Sequence, residues 1–195
     1  MTTQKDKKQR CAWIADELMR RYHDREWGVP VREDRKHFEF LVLESAQAGL
    51  SWRTVLNKRE NYRKAFAGFD PIKVAKFSRV KIQKLLKNPG IIRNRLKVEA
   101  AVNNAQRFLE IQKEFGSFSN YIWNFSGHKT KMNGWKTLKQ LPPNTPESDK
   151  LSLDLKKRGF KFLGSTVLYS HMQAVGIVND HVKTCFRYRE LCEAG

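Results

Sequence analysis

Residues 43–52, LESAQAGLSW, restrict the possible folds more than any other stretch of this chain. Glu44 follows two apolar residues at helical spacing, so its carboxyl group lies on or beside the apolar face of a helix. Gly49 can end that helix, and Ser51 can cap a second helix with apolar positions at the 3.6-residue period. The carboxyl group is therefore expected close to an apolar tip and an aromatic ring, Leu50 and Trp52.

A carboxyl group on an apolar helix face needs a partner. Burial raises its pKa unless a donor or a cation meets it, and an unpaired buried charge costs several kcal/mol. The partner of Glu44 can be structural, such as a helix N-terminus or an arginine, or it can be a bound ligand. The sequence alone leaves both interpretations open.

The charge of the chain favours a polyanionic partner. Its 38 lysines and arginines against 20 acidic residues give a formal net charge of +18. Cations that displace counterions from phosphates bind nucleic acid regardless of its sequence, and charge does not separate DNA from RNA. A generally basic proteome and an acidic membrane surface are the alternatives.

Neither a membrane span nor a secretion signal is expected. No apolar run approaches the roughly 20 residues that cross a bilayer, and the N-terminal decapeptide MTTQKDKKQR has no apolar core. Three cysteines are too few for a disulfide framework and fit a reduced compartment. A soluble cytoplasmic protein, located with the chromosomal DNA, is the expectation.

Two of the cysteines are candidate metal ligands. His181 and Cys185 are four residues apart, on one face of a helix that residues 179–180 could cap, and this spacing lets two side chains share one ion. Cys11 and His23 would complete a tetrahedral set of two cysteines and two histidines. Coincidence is the alternative, because the spacing pattern is weak.

A helical hairpin is predicted at about residues 79–110. Asn-Pro-Gly at 88–90 makes a turn before a long helix with an apolar stripe. Gly90 would let backbone N–H groups approach a phosphate, and Arg93 and Arg95 add positive charge nearby. The alternative is an ordinary helical hairpin with a glycine turn.

The remaining sequence predicts more helices and no convincing strand. Ser117 can cap one helix, a second starts at residues 145–146 and stops at Gly159, and Ser165 can cap a third that ends at Gly176. Residues 126–148 read as a long surface loop. We therefore expect a mobile basic tail over residues 1–9 and one all-α domain over residues 10–195.

Four sequence blocks, in order, resemble the 3-methyladenine DNA glycosylase I family of the helix-hairpin-helix superfamily. They are YHDREWGVP at 22–30, LESAQAGLSWRTVLNKRENYRKAF at 43–66, NPGIIRNRLK at 88–97 and KKRGFKFLGSTVLYSHMQAVGIVNDH at 156–181. The resemblance implies an all-α helix-hairpin-helix glycosylase fold in which a structural zinc joins the N- and C-terminal segments. It also implies the zinc ligands Cys11, His23, His181 and Cys185.

The resemblance further assigns a base pocket. Glu44 would face the damaged adenine, Trp52 would stack on it, Tyr22 would form a polar wall, and Trp27 would be a neighbouring aromatic residue. Met19 departs from the family, which often has an aromatic residue there. His171 is expected to be a hydrogen-bonded packing residue.

The implied activity is hydrolysis of the N-glycosidic bond of 3-methyladenine in duplex DNA after base flipping, without strand cleavage. We expect a monomer with no nucleotide cofactor. A non-catalytic zinc-containing helix-hairpin-helix protein is the alternative. Leu50 is either the wedge that fills the gap left in the duplex or a staple between two helices. The predicted DNA contacts are Gln47, Gly49, Leu50, Gly90, Arg93, Arg95, Lys161 and Ser165.

Overall fold

The computed structural model describes residues 8–193, so most of the predicted basic tail lies outside the described residues. None of the described helices is both long enough and apolar enough to cross a membrane. The helices and strands follow in chain order: α1 Glu17–Arg25, α2 Asp34–Gln47, α3 Trp52–Ala65, α4 Pro71–Val74, α5 Arg79–Leu86, α6 Arg95–Phe115, α7 Phe118–Asn124, β1 Lys131–Met132, α8 Pro146–Lys157, α9 Ser165–Ala174, β2 Val178–Asn179 and α10 Phe186–Glu193.

Helix α2 lies at the centre of the fold. Every residue from 37 to 46 is buried, and α3, α6, α7 and α9 pack around the helix. A helix buried on all sides normally carries apolar residues only. This one also buries three titratable side chains, His37, Glu39 and Glu44. Their partners decide what the centre of the molecule can do.

Most helix boundaries follow the predicted caps. Ser51 Oγ accepts a hydrogen bond from Thr54 N at 3.2 Å, and Ser117 and Thr145 cap α7 and α8 in the same way. The prediction for Ser165 is wrong, because Gly164 is the N-cap and Ser165 is the first residue of α9. The Ser165 side chain bonds to α8 instead.

The expectation of a purely helical chain is also wrong in one detail. Strands β1 and β2 form a two-residue parallel pair in which Lys131 lies opposite Val178. The loop over residues 126–148 is therefore docked onto the segment after α9. That segment does not continue as the predicted helix, and His181 and Cys185 lie in a turn before α10.

Asp180 fixes this docked loop. Its buried carboxylate accepts hydrogen bonds from Asn133 Nδ2 and Trp135 Nε1 of the loop, at 2.7 and 2.8 Å. It also accepts from Tyr169 OH and Gln173 Nε2 of α9, at 2.6 and 2.7 Å. Four donors around one carboxylate satisfy its charge inside the protein. The predicted cap is thus a cross-link between two segments.

Gly176 is required by close packing. Its φ of +72° is in the left-handed region, and a Cβ there would lie 2.4 Å from Pro30 N and 2.7 Å from Val29 O. Backbone atoms cannot move aside as a flexible side chain would. The approach brings residues 28–31 against the end of α9, where Val31 N donates to Val175 O at 3.0 Å.

Gly176→Ala should therefore lower the free energy of unfolding by about 3 kcal/mol or more, because strain and a backbone clash add. Gly127→Ala is the matched control: its φ is +63°, but nothing lies within 4 Å of the added Cβ, so only strain of roughly 1 kcal/mol is expected. Urea unfolding of both variants measures the difference. Equal losses would contradict the packing argument.

Candidate active site

Two cysteines and two histidines from opposite ends of the described chain converge. Cys11, His23, His181 and Cys185 are all buried, and one potential ligand atom from each lies within 4.8 Å of the others. Cys185 Sγ is 3.5 Å from both His23 Nε2 and His181 Nδ1, and Cys11 Sγ is 3.7 Å from His181 Nδ1. The third cysteine, Cys192, is exposed.

These spacings fit a tetrahedral metal ion. Ligand bonds of about 2.3 Å to sulfur and about 2.0 to 2.1 Å to nitrogen place neighbouring S and N atoms roughly 3.6 Å apart in a tetrahedron. The histidines are oriented accordingly. His181 Nε2 donates to Trp27 O at 3.0 Å, and His23 Nδ1 faces Asp24 Oδ1 at 2.7 Å, so each ring turns its other nitrogen toward the cysteines.

A pocket of about 290 Å³ opens beside this cluster. Helices α1, α2, α3 and α9 form its walls, together with the segment before α1 and the docked loop. Such a volume suits a single planar base better than a larger ligand. The pocket is lined by Trp13, Met19, Tyr22, Trp27, Glu44, Gln47, Trp52, Leu141, Ser170 and Gln173.

Four aromatic rings line the pocket, those of Trp13, Tyr22, Trp27 and Trp52. The Tyr22 and Trp52 rings are 5.4 Å apart between centroids, and those of Trp13 and Trp27 are 5.2 Å apart in an edge-to-face arrangement. Trp52 Nε1 is buried and has no hydrogen-bond partner among the described residues. The rings offer π faces to a planar cation. Met19 lines the same pocket as a flexible apolar side chain.

Two carboxyl groups of α2 have the same burial and opposite electrostatic surroundings. Glu39 and Glu44 are each 3% exposed. Burial disfavours the charged form of Glu39, but hydrogen bonds and charges from Arg59, with nearby Lys36 and Arg63, outweigh it and lower its pKa. Within residues 8–193, no arginine or lysine pairs with Glu44, and burial raises its pKa well above the usual range. Glu44 is therefore the carboxyl group of α2 that remains available to bind a ligand.

Glu44 contacts a chain of two buried histidines. Its Oε2 lies 2.9 Å from His171 Nδ1, and His171 Nε2 lies 3.2 Å from His37 Nδ1. His37 Nε2 donates to Val31 O at 3.1 Å. Burial lowers the pKa of His171 to about 3, and burial together with neighbouring His171 lowers that of His37 to about 3. Both rings are therefore neutral. As predicted, His171 is a hydrogen-bonded buried residue.

The α2–α3 turn projects beside the pocket. Gly49 has a φ of +80°, and the side chain of Leu50 is exposed. Lys97, in the first turns of α6, places its Nζ 2.9 Å from Ala46 O and 2.6 Å from Ala48 O, at the end of α2. An ammonium group stabilises the carbonyl groups at a helix C-terminus. It also holds the turn against the hairpin.

The hairpin is present, and the glycine of its turn is closely packed. Gly90 N donates to Asn88 Oδ1 at 2.8 Å and is therefore already satisfied within the turn. A Cβ at Gly90 would lie 3.0 Å from Asn61 of α3, so the glycine permits close packing. Arg93 and Arg95 are exposed after the turn. Both guanidinium side chains are therefore accessible to solvent, whereas the Gly90 amide is engaged within the turn.

The sequence profile of the family described as "Methyladenine glycosylase" matches residues 13–188. The chain belongs to the methyladenine glycosylase family. The DNA-3-methyladenine glycosylase 1 of Escherichia coli (strain K12) is 48% identical over 181 residues, which cover 92% of this chain and 97% of that protein. The DNA-3-methyladenine glycosylase of Haemophilus influenzae is 46% identical, over 90% of this chain and 96% of that protein.

Solved structures agree with this assignment. A crystal structure of a 3-methyladenine DNA glycosylase I superposes with a TM-score of 0.89 at 49% identity, covering 91% of this chain and 98% of the other. The 3-methyladenine DNA glycosylase I of Staphylococcus aureus gives a TM-score of 0.86 at 39% identity, covering 88% and 91%. The resemblance noted in the sequence is confirmed, and the family is one of glycosylase enzymes.

Two predicted DNA contacts of this methyladenine glycosylase family member lie beside α8. Lys161 is exposed, and its backbone N donates to Asn104 Oδ1 of α6 at 2.8 Å. Ser165 Oγ donates to Asp149 Oδ1 at 2.5 Å and lies 2.8 Å from Ser148 Oγ. The Lys161 side chain is accessible, whereas the Ser165 hydroxyl is engaged within the protein.

Several pocket residues were not predicted from the sequence. Trp13, Ser170 and Gln173 carry no motif by themselves, and Leu141 comes from a loop that sequence places at the surface. One signal was available for α9, where Ser170 and Gln173 are three residues apart and share a face. No sequence signal pairs His37 with its partner on α9, because that contact spans 134 positions.

Proposed function

We propose that this protein hydrolyses the N-glycosidic bond of 3-methyladenine in duplex DNA and leaves the strand intact. The observation that carries the proposal is a buried carboxyl group, Glu44, inside an aromatic pocket of a methyladenine glycosylase family member. The names of the related enzymes support the substrate, and they do not favour a non-catalytic binder.

The chemistry demands little acid catalysis. Methylation at N3 makes the nucleobase cationic, so it leaves its sugar more readily than neutral adenine. The protein must extract the base from the stack, which costs a few kcal/mol and is easiest for damaged pairs. The pocket then needs to favour a flat cation over a flat neutral molecule. Charge and fit would therefore provide the selection.

The pocket residues suit these tasks. Glu44 Oε2 faces His171, which leaves Oε1 to accept a hydrogen bond from the exocyclic amine. Trp52 and Tyr22 would stack on the cation, a contact worth about 1 to 2 kcal/mol when desolvated. Trp27 would be a neighbouring aromatic residue in the same pocket. The pocket lining among the described residues includes no lysine that could form an imine, and the proposed attack is therefore by water.

The DNA would lie across the turn and the hairpin. Leu50 projects from the α2–α3 turn and is 43% exposed, as a wedge for the vacated stack requires. Gly49 gives the turn its left-handed backbone, and Gln47, which lines the pocket, would lie near the opposite base. Lys97 fixes this turn to the hairpin. Phosphate contacts would come from Arg93, Arg95 and Lys161, with Gly90 and Ser165 shaping the backbone around them.

Zinc is the metal that suits the cluster. Two thiolates and two imidazoles in a closed tetrahedral arrangement are a typical structural zinc site, and four protein ligands leave no position for a reacting water. Cys11 and His23 would join the N-terminal segment to His181 and Cys185. Zinc would thus hold α1, which carries Tyr22, in place beside the pocket.

Replacement of Glu44 tests the proposed activity. Glu44→Gln should reduce release of 3-methyladenine from methylated duplex DNA, and affinity for the free base, by about 10- to 100-fold, since a charge-assisted hydrogen bond is lost. Glu17→Gln, an exposed glutamate of α1, is the control and should behave as wild type. A wild-type protein that binds methylated DNA without releasing base would refute the proposal.

Replacement of Leu50 tests the wedge. Leu50→Ala should weaken binding to duplex DNA that holds the lesion by about 3- to 10-fold, because the gap in the stack is left unfilled. Release from a loosely paired substrate should change little. Leu153→Ala removes an exposed leucine of α8 and serves as the control. Equal losses on both substrates would favour the helix-staple interpretation.

Elemental analysis tests the metal. Freshly purified wild type and Cys192→Ser should contain stoichiometric zinc, and Cys185→Ser should lose it. The free energy of unfolding of Cys185→Ser should also fall by several kcal/mol, because metal binding contributes to folding. Zinc-free wild type of normal stability would refute the zinc site.

A further inference from the structure

The buried histidine chain behind Glu44 has a fixed direction. Val31 O can only accept, so His37 Nε2 carries a hydrogen and donates to it. The neutral His37 ring then has a bare Nδ1, which accepts from His171 Nε2 at 3.2 Å. The neutral His171 ring in turn has a bare Nδ1, and this atom lies 2.9 Å from Glu44 Oε2. Only one proton fits between Glu44 and His171.

That proton has two possible positions. On Glu44 Oε2 it gives a neutral carboxylic acid and a neutral ring. On His171 Nδ1 it gives a carboxylate and an imidazolium. The second state still donates from His171 Nε2 to His37 and from His37 Nε2 to Val31, so no side chain has to move. The chain therefore satisfies both states with the same hydrogen bonds.

The surroundings favour the neutral state in the free protein. All three side chains are buried, and burial alone raises the pKa of Glu44 and alone lowers that of His171. Among the groups packed around them, Tyr22 faces Glu44 as a neutral phenol.

The charged groups near the histidine chain bond to other residues. Asp34 and Arg32 act weakly and in opposite directions on His37. Asp34 accepts from Gln112 and from the Phe118 and Ser119 amides, and Arg32 stacks on Trp123. Lys97 is occupied at the end of α2, and Asp180 by its four donors.

We propose that His171 takes the proton of Glu44 when a cationic base enters the pocket, and that His37 fixes the tautomer of His171 for this transfer. The proton leaves Oε2 for Nδ1, no heavy-atom bond forms or breaks, and the net charge of the pair stays zero. The Glu44 carboxylate then faces the cationic base, and the transferred proton gives its positive charge to His171, on the far side of Glu44 from the base. A neutral base does not draw the proton across. This step rests on the proposed function, and it would add charge selectivity to shape.

Nitrogen NMR of the histidines provides the direct test. In the free protein near neutral pH, His37 and His171 should both be neutral and protonated at Nε2. Saturation with 3,9-dimethyladenine, a cation that resembles the alkylated nucleobase, should convert His171 to the doubly protonated form and leave His37 unchanged. The neutral 9-methyladenine should not. A His171 that stays neutral with the bound cation, or is already charged without it, would overturn the proposal.

Kinetics provide the second test. His171→Phe keeps an aromatic ring but removes the proton acceptor, so kcat/KM for release of 3-methyladenine should fall by about 10- to 100-fold near neutral pH. Because Glu44 must then lose its proton to solvent and burial raises its pKa, kcat/KM should recover as the pH is raised above neutrality, whereas wild type stays flat. A pH-independent loss would mean that His171 is only structural.

Controls separate the possible failures. His128→Asn changes an exposed histidine outside the pocket and should match wild type at every pH. His37→Phe should leave His171 neutral but in a mixture of tautomers in the NMR spectrum. If wild type releases no base, the proposed function fails, while the tautomers of the free protein still test the direction of the histidine chain.

Discussion

A carboxyl group on the central, fully buried helix is the constraint on which the rest of the structure depends. Burial of an acid is tolerated either by ion pairing or by keeping it neutral. Helix α2 uses both solutions: Glu39 is held by arginines on one face, and Glu44 contacts a neutral imidazole on another. The first solution stabilises the protein. The second leaves Glu44 as a hydrogen-bond acceptor directed into the pocket. A residue of the buried core is thus also part of the candidate site.

The walls of that pocket come from segments far apart in the sequence, so their positions need independent fixing. Asp180 joins the docked loop to α9 with four hydrogen bonds, and the cysteine–histidine cluster joins the segment before α1 to the segment after β2. Gly176 lets the chain after α1 approach the end of α9 closely. These contacts have little chemistry of their own for the substrate. They hold the aromatic walls of the pocket in place.

Local signals predicted local structure well. Ser51 and Ser117 cap the helices that follow them, because an N-cap depends on a hydrogen bond three residues away. The motif around Glu44 and Trp52 likewise predicted one side of the pocket, since both residues adjoin a single turn. Predictions that depended on contacts between different helices were partly wrong. Ser165 bonds to α8 instead of capping α9.

By itself, the sequence determined the helical character, the basic charge, the family and the acid on an apolar helix face, because composition, periodicity and motifs are local properties of the chain. Only the tertiary structure decided that His37 and His171 meet behind Glu44, that Leu141 and Gln173 complete the pocket, and that residues 131–132 pair with 178–179. Those contacts join residues separated by tens of positions or more. Packing brings these residues together, and no periodic pattern in the sequence indicates the contacts.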